Sequence, residues 1–300
     1  MKTIAERLAL IDRAVSENEC VGVWGMFSGG HDSLVACHVA SLHPLFRGVV
    51  HINTGIGITE TRDFCRQTAS EQGWTLKEYH AKDCGQDYEQ LVIEQGFPGA
   101  NEMGHGKMYN RLKERPLRVF FREHSGRHVL CTGCRSDESL RRMGNVCEIQ
   151  REYRRIWCNH ISDMTKVDRE TYIDDAHLPR NPVVEYLCKS GECLCGAFAQ
   201  RGELDELAMW YPETSRHIRE LEKRVAAAGF PWGWEDGPPK WWREAKQGQT
   251  FLMDYDKPNA LCWTCEKRRS QIENQETAGD GKDHDKEDDK EDDKEDDAKA

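Results

Sequence analysis

Apolar and polar positions alternate along this chain between two regimes. Short apolar runs of strand length recur, and stretches with helical spacing lie between them. Val21-Gly22-Val23-Trp24-Gly25-Met26 is the first run, Phe46-Arg47-Gly48-Val49-Val50-His51-Ile52 the second, and Trp74 to His80 a more polar third. His128 to Thr132 and Arg154 to Cys158 supply a fourth and a fifth. Helical spacing is read over residues 1–17, in Leu34 to Ala40, and from Thr59, where a capping residue is followed by an early glutamate. Tyr109 to His124 is a basic helix candidate interrupted or restarted at Pro116; residues 164–187 are mostly helical, and further helices cross 203–229. The glycine-rich stretch 97–108 reads as a mobile loop, and Pro231 to Trp242 as a Trp/Pro/Gly-rich one. Strands alternating with helices predict an α/β fold: an open, mostly parallel twisted sheet with helices on both faces. In such sheets ligands bind beyond the carboxyl ends of the strands.

Three strand ends carry candidate chemistry. Ser28-Gly29-Gly30-His31-Asp32-Ser33 joins the first strand to a helix. Glycines let the backbone turn tightly and approach a ligand. Asp32 and Ser33 fall where caps are expected, and the remaining amides and the helix dipole point at an anion. Strand, glycine turn and helix start therefore predict a phosphate cradle, although a plain turn would use the same residues. It lacks the long spacing and Gly-Lys-Ser/Thr ending of a Walker loop. The second strand ends in Asn53-Thr54-Gly55, which alone would be an ordinary turn. The fourth runs into Thr132-Gly133-Cys134-Arg135-Ser136-Asp137-Glu138-Ser139-Leu140-Arg141-Arg142. There Arg135 can fork onto a phosphate or sulfate, while Glu138 and Arg142 are spaced to staple a helix. Residues 107–155 hold thirteen Lys/Arg against six Asp/Glu. That excess suggests an anionic ligand within reach of Lys107, Arg111 and Lys113, or else a solvated face.

Composition changes the picture at the C-terminal end. The net charge of −11 is mostly a tail, since residues 280–300 hold twelve acids and five lysines, including three Lys-Glu-Asp-Asp units. Such a segment cannot repay its ordering entropy. The expected organisation is an α/β nucleotide-binding domain over 1–187, a helical cysteine-rich metal-binding extension over 188–276, and a disordered acidic tail over 277–300. No apolar run reaches membrane-spanning length, and residues 1–15 show no signal-peptide pattern, so a cytoplasmic protein is expected. Thirteen cysteines are many for that compartment and point to metal or redox chemistry. Cys20, Cys37 and Cys65 sit in core-like surroundings. Cys188, Cys193 and Cys195 with Cys262 and Cys265 form two distant groups, the spacing with which a chain clamps one thiolate-bound centre. Cys193, Cys195, Cys262 and Cys265 are the expected ligands, with Cys188 the spare. Zinc, a [4Fe–4S] cluster and unmetallated thiols all suit that set.

The Ser28 loop resembles the SGGxDS pyrophosphate loop of the ATP pyrophosphatases and the phosphoadenosine-phosphosulfate (PAPS) reductase family. Asn53-Thr54-Gly55 matches that family's (D/N)TG turn, and Thr132 to Arg142 is similar to its TG-x-R-x-x-ES-x-RR segment. The three come in the family's order. Ser190-Gly191-Glu192-Cys193-Leu194-Cys195-Gly196 resembles a signature of its iron–sulfur branches, and Asn181-Pro182-Val183 is a family-like phrase. The resemblance implies an adenine nucleotide alpha-hydrolase-like fold that binds ATP, or PAPS or APS, with Mg²⁺ and a [4Fe–4S] cluster. It implies nucleotide contacts from Ser28, Gly29, Gly30, His31, Asp32, Ser33, Asn53, Thr54, Gly55, Gly133 and Arg135, with Asp32, Ser33 and Arg135 catalytic. The Glu-Cys-Gly-(Leu/Ile)-His segment and the adjacent Cys-Cys pair of sulfonucleotide reductases are absent. The implied activity is therefore nearer the DNA phosphorothioation ATP pyrophosphatases and the tRNA thiolases: ATP cleavage or adenylation for sulfur transfer. A sulfur donor such as a cysteine desulfurase, a nucleic-acid acceptor and a homo-oligomer fit that implication. The alternatives are a true PAPS or APS reductase using Cys131, Cys134 or Cys158, and a nonenzymatic nucleotide-binding subunit with a structural metal.

Overall fold

A computed structural model describes residues 2–99, 102–138 and 146–239. In chain order the elements are α1 (Ile4–Ser16), β1 (Cys20–Met26), α2 (His31–Ser41), β2 (Phe46–Asn53), α3 (Thr59–Glu71), β3 (Leu76–His80), α4 (Tyr88–Gln95) and α5 (Glu102–Tyr109). A π-helical turn, Asn110–Glu114, leads into α6 (Arg115–Glu123) and β4 (Arg127–Cys131). Then come β5 (Ile149–Glu152), β6 (Arg155–Cys158), α7 (Lys166–Asp175), α8 (Pro182–Leu187), α9 (Glu203–Trp210) and α10 (Pro212–Ala227).

The six strands form one sheet in the order β3-β2-β1-β4-β6-β5. Every pairing is parallel except β5 with β6. Strand alternation sorts the side chains onto two faces. Trp24, Met26, Val50, Ile52, Leu130 and Trp157 face Leu117, Phe120 and Phe121 of α6. From the neighbouring positions, Val23, Val129, Cys131, Ile156 and Cys158 pack on Leu10, Ile11 and Ala14 of α1, and Val49 joins residues of α2 and α3. Helices thus cover both faces of a mostly parallel sheet, the expected α/β class. β1 lies between β2 and β4, so the strand order reverses beside it, and the crevice opens beyond its carboxyl end.

Two expectations fail locally. The glycine-rich stretch is not a loop throughout, since α5 occupies 102–109. Its Gly104 backs directly onto Pro98, whose carbonyl oxygen would lie 2.6 Å from any added Cβ. Glycine there serves close packing, not looseness. β5 escapes detection because Ile149-Gln150-Arg151-Glu152 is polar; it adds as an antiparallel edge through a turn at Tyr153, whose φ is 53°. Around the cysteine-rich segment, Leu194, Cys195, Leu204, Leu207, Trp232 and Trp234 share one core with Ile56, Tyr88, Leu91 and Val183. Cys262, Cys265, Leu140, Arg141, Arg142 and the acidic tail lie outside the described residues.

Candidate functional site

The turn after β1 is built for close approach. Gly29 has φ 76°, and a Cβ there would sit 2.6 Å from Thr61 Cγ2 and 3.1 Å from Cys65 Sγ. Gly30 takes the N-cap position of α2, and no side chain caps that helix. Here the sequence reading is corrected: neither Asp32 nor Ser33 is a cap, because both stand inside the first turn. Ser33 Oγ donates to the Gly30 carbonyl (2.8 Å) and accepts from the Ser28 amide (3.2 Å), which folds the loop onto itself. The first intrahelical bond runs from the Leu34 amide to the Gly30 carbonyl (2.9 Å), leaving the amides of His31, Asp32 and Ser33 ahead of it. Asn181 Nδ2 donates to the Gly29 carbonyl (2.8 Å) and braces the loop from behind.

Asp32 is engaged by two guanidiniums. Arg135 Nε donates to its Oδ1 at 2.5 Å and Arg169 Nη1 to the same oxygen at 3.0 Å. Both arginines are buried. Arg135 is further held by Asp137 (3.2 Å) and the Met164 carbonyl (3.3 Å), and Arg169 by Glu170. Gly133 permits this approach, since a Cβ there would lie 2.6 Å from the Ser33 nitrogen and from Asp32 C. Burial would raise the Glu170 carboxyl, but hydrogen bonds from Arg180 and Arg169 bring it down to about 2. His31 is buried between Glu170 and Glu185, each 3.5 Å away, and burial holds its imidazole below the usual range.

The second turn meets the cysteine-rich segment. Asn53 Oδ1 accepts from the Gly55 amide (3.0 Å), and its Nδ2 donates to Glu78 (2.8 Å). The Thr54 amide donates to Glu192 Oε1 (3.0 Å) and Thr54 Oγ1 to the Glu192 carbonyl (2.7 Å). Glu192 is buried, and its Oε2 lies 3.3 Å from Nε2 of His51, which is fully buried. His51 Nδ1 lies 2.8 Å from the Phe27 carbonyl, which can only accept, so Nδ1 carries a proton and Nε2 turns to the carboxylate. Burial opposes a charge on His51, yet the neighbouring Cys65 and Glu192 outweigh it and raise the group well above its ordinary value.

Cys193 and Cys195 lie side by side behind this turn. The hydrogen bond from Cys195 draws the Cys193 thiol down to about 6 against burial, with the Lys113 charge adding to the effect. Lys113 therefore bears on these sulfurs, while Arg111 reaches Gln86 (3.3 Å). Cys188 is the exposed C-cap of α8. Among the described residues, the group of three that could ligate one ion is instead Cys131, Cys158 and His160. The structure thus brings Ser28, Gly29, Gly30, His31, Asp32 and Ser33 after β1 together with Gly133 and Arg135 after β4, and sets Asn53, Thr54 and Gly55 at the end of β2 beside them. Arg169 and Glu192 escape sequence reasoning, because their partners lie 137 and 138 residues away.

The model of the phosphoadenosine phosphosulfate reductase domain matches residues 22–193. No curated protein matches. Among solved structures, phosphoadenylyl-sulfate (PAPS) reductase from Candida auris, a phosphate complex, aligns with 20% identity and a TM-score of 0.46 over 60% of this chain and 83% of that one. The U34-tRNA thiolase NcsA from Methanococcus maripaludis with its [4Fe-4S] cluster aligns with 16% identity and a TM-score of 0.38, over 83% and 89%. The FMN adenylyltransferase of Candida glabrata, in complex with FMN and the ATP analogue AMPCPP, shows 11% identity and a TM-score of 0.38, with 61% of each chain covered.

Proposed function

Given that this chain belongs to the phosphoadenosine phosphosulfate reductase domain family, we propose that it is an adenine-nucleotide enzyme of sulfur transfer, acting as an ATP pyrophosphatase. The observation that carries this reading is the uncapped start of α2 on a glycine turn, flanked by two buried arginines on Asp32. The amides of His31 to Ser33 and the Ser28 hydroxyl receive the pyrophosphate end of ATP. Arg135 and Arg169 neutralise charge on the phosphates, and the Asn53-Thr54-Gly55 turn receives the nucleoside. An acceptor oxygen attacks the α-phosphorus, the bond to the bridging oxygen breaks, and pyrophosphate leaves. Sulfur then displaces AMP from the adenylated acceptor. The protein's part is positioning and charge neutralisation.

Asp32 suits a Mg²⁺ ligand, since both arginines bond Oδ1 and leave Oδ2 for a cation; Mg²⁺ would supply charge neutralisation on the phosphates. Cys193 and Cys195 are adjacent thiols, one made more acidic by its neighbour, and fit two ligands of an iron–sulfur cluster whose others would be Cys262 and Cys265. When bound, such a cluster would supply sulfur or redox chemistry. The burial of Cys131, Cys134 and Cys158 counts against any of them as a reductase nucleophile.

The test is pyrophosphate release from ATP with the full chain, loaded with metal and given a sulfur donor and tRNA or DNA. Release that Arg135→Ala abolishes supports the assignment. Binding of PAPS with sulfite release and no pyrophosphate overturns it.

A further inference from the structure

The last residues of β4 and β6 place two thiols together. Cys131 and Cys158 are register partners on the parallel strands, and both are fully buried. Two residues beyond, His160 is also fully buried, and its ligand atom and the two sulfurs all lie within 4.8 Å of one another. Leu10, Ile11 and Ala14 of α1 pack with the two thiols, and the buried Arg7 donates to the His160 carbonyl (2.6 Å).

His160 supplies an independent sign. Its Nε2 lies 3.2 Å from the Ala36 carbonyl, which can only accept, so the proton sits on Nε2 and Nδ1 keeps a lone pair. That Nδ1 is buried with no hydrogen-bond partner among the described residues. A buried nitrogen left without a partner destabilises the fold, and metal ligation would remove that cost. An imidazole fixed by a carbonyl on one nitrogen and free on the other is the usual arrangement of a metal-binding histidine.

We infer that Cys131, Cys158 and His160 form a structural site for a thiophilic divalent ion of the zinc class. Charge selects the valence. Two thiolates and a neutral imidazole balance a divalent cation, so the loaded site adds no net charge to a dry core. Binding takes up one ion and releases the two thiol protons. Thr132, Gly133 and Arg135 follow Cys131 directly, so the ion would pin the strand end from which Arg135 reaches Asp32.

The test uses the full chain carrying Cys→Ala at positions 193, 195, 262 and 265, which separates this site from the cluster proposed above. After chelation it is loaded with zinc, for elemental analysis, or with cobalt, for absorption. The expected result is about one ion per chain, with thiolate-to-cobalt charge transfer, a zinc-dependent rise in melting temperature, and loss of all three in Cys158→Ser. His160→Gln should weaken retention by at least ~10-fold. If the fourfold background does not fold, the same comparison is made in the otherwise unaltered chain, where Cys158→Ser should remove one equivalent of ion. A folded protein that takes up no ion, or a Cys158→Ser variant that keeps it, overturns the inference whatever the nucleotide chemistry proves to be.

Discussion

Replacing Glu192 by Gln probes the joint between the second turn and the cysteine segment. Gln keeps an acceptor for the Thr54 amide (3.0 Å) and leaves the Thr54 hydroxyl on the Glu192 carbonyl. What it removes is the negative charge 3.3 Å from His51 Nε2, inside the fold. Breaking a buried pair from one side costs about 3–5 kcal/mol, and the low end applies because an imidazole can shed its proton. At 2–4 °C per kcal/mol, the ~3 kcal/mol loss lowers the melting temperature by roughly 6–12 °C. The pH dependence carries the diagnosis. His51 is raised above its ordinary 6.5 in the folded state, so the stability it confers is complete below 6.5 and is lost as pH climbs through the higher folded value. The gap between wild type and Glu192→Gln should therefore be widest below the ordinary histidine pKa of 6.5 and narrow steadily as pH rises above it. Scanning calorimetry across that range, with His51→Gln and the double variant, isolates the pair. A gap of constant size at every pH would refute the reasoning and show that His51 is neutral in the fold.

Other consequences are open to direct measurement. Arg135→Ala and Arg169→Ala should each weaken ATP binding by about tenfold or more, a change of ~1.4 kcal/mol, with circular dichroism unchanged; unaltered calorimetric affinity in both would remove the arginines from the site. Gly29→Ala puts a Cβ 2.6 Å from Thr61 Cγ2 in a left-handed turn, so urea melts should show a loss of about 2 kcal/mol. A variant as stable as wild type would mean that the turn relaxes freely. Anaerobically purified protein should be brown, and Cys193→Ala with Cys195→Ala should release its iron and sulfide while Cys188→Ala keeps them; emptying by Cys188→Ala alone would reassign the ligands. Deleting residues 280–300 should leave both melting temperature and ATP affinity unchanged, whereas a lowered melting temperature would show that the tail docks on the body.

The five parallel strands and the three strand-end turns are legible because their signals are local: an apolar run, a glycine, then a helical period. The loop prediction at 97–108 took glycine content for looseness where Gly104 serves a close contact with Pro98. Asp32 looked like a cap by position, yet its carboxylate answers to Arg135 and Arg169, long-range partners that no short window contains. The same holds for Glu192. It stands in the cysteine phrase with no role of its own in the sequence, and only the fold reveals that it bonds Thr54 and faces His51.

The joint at Glu192 also sets a thermodynamic linkage. Thr54 is bonded to the segment that carries Cys193 and Cys195, and the Ile58 amide donates to the Gly191 carbonyl at 2.9 Å. Gly57 packs so tightly that a Cβ there would lie 2.4 Å from the Glu192 oxygen. A ligand that orders the turn therefore orders the thiols, and a ligand on the thiols orders the turn. Whatever factor nucleotide binding applies to the affinity of the thiols for a metal, the metal must apply to the affinity for nucleotide. Titrating either one in the presence of the other measures a single coupling constant from both sides.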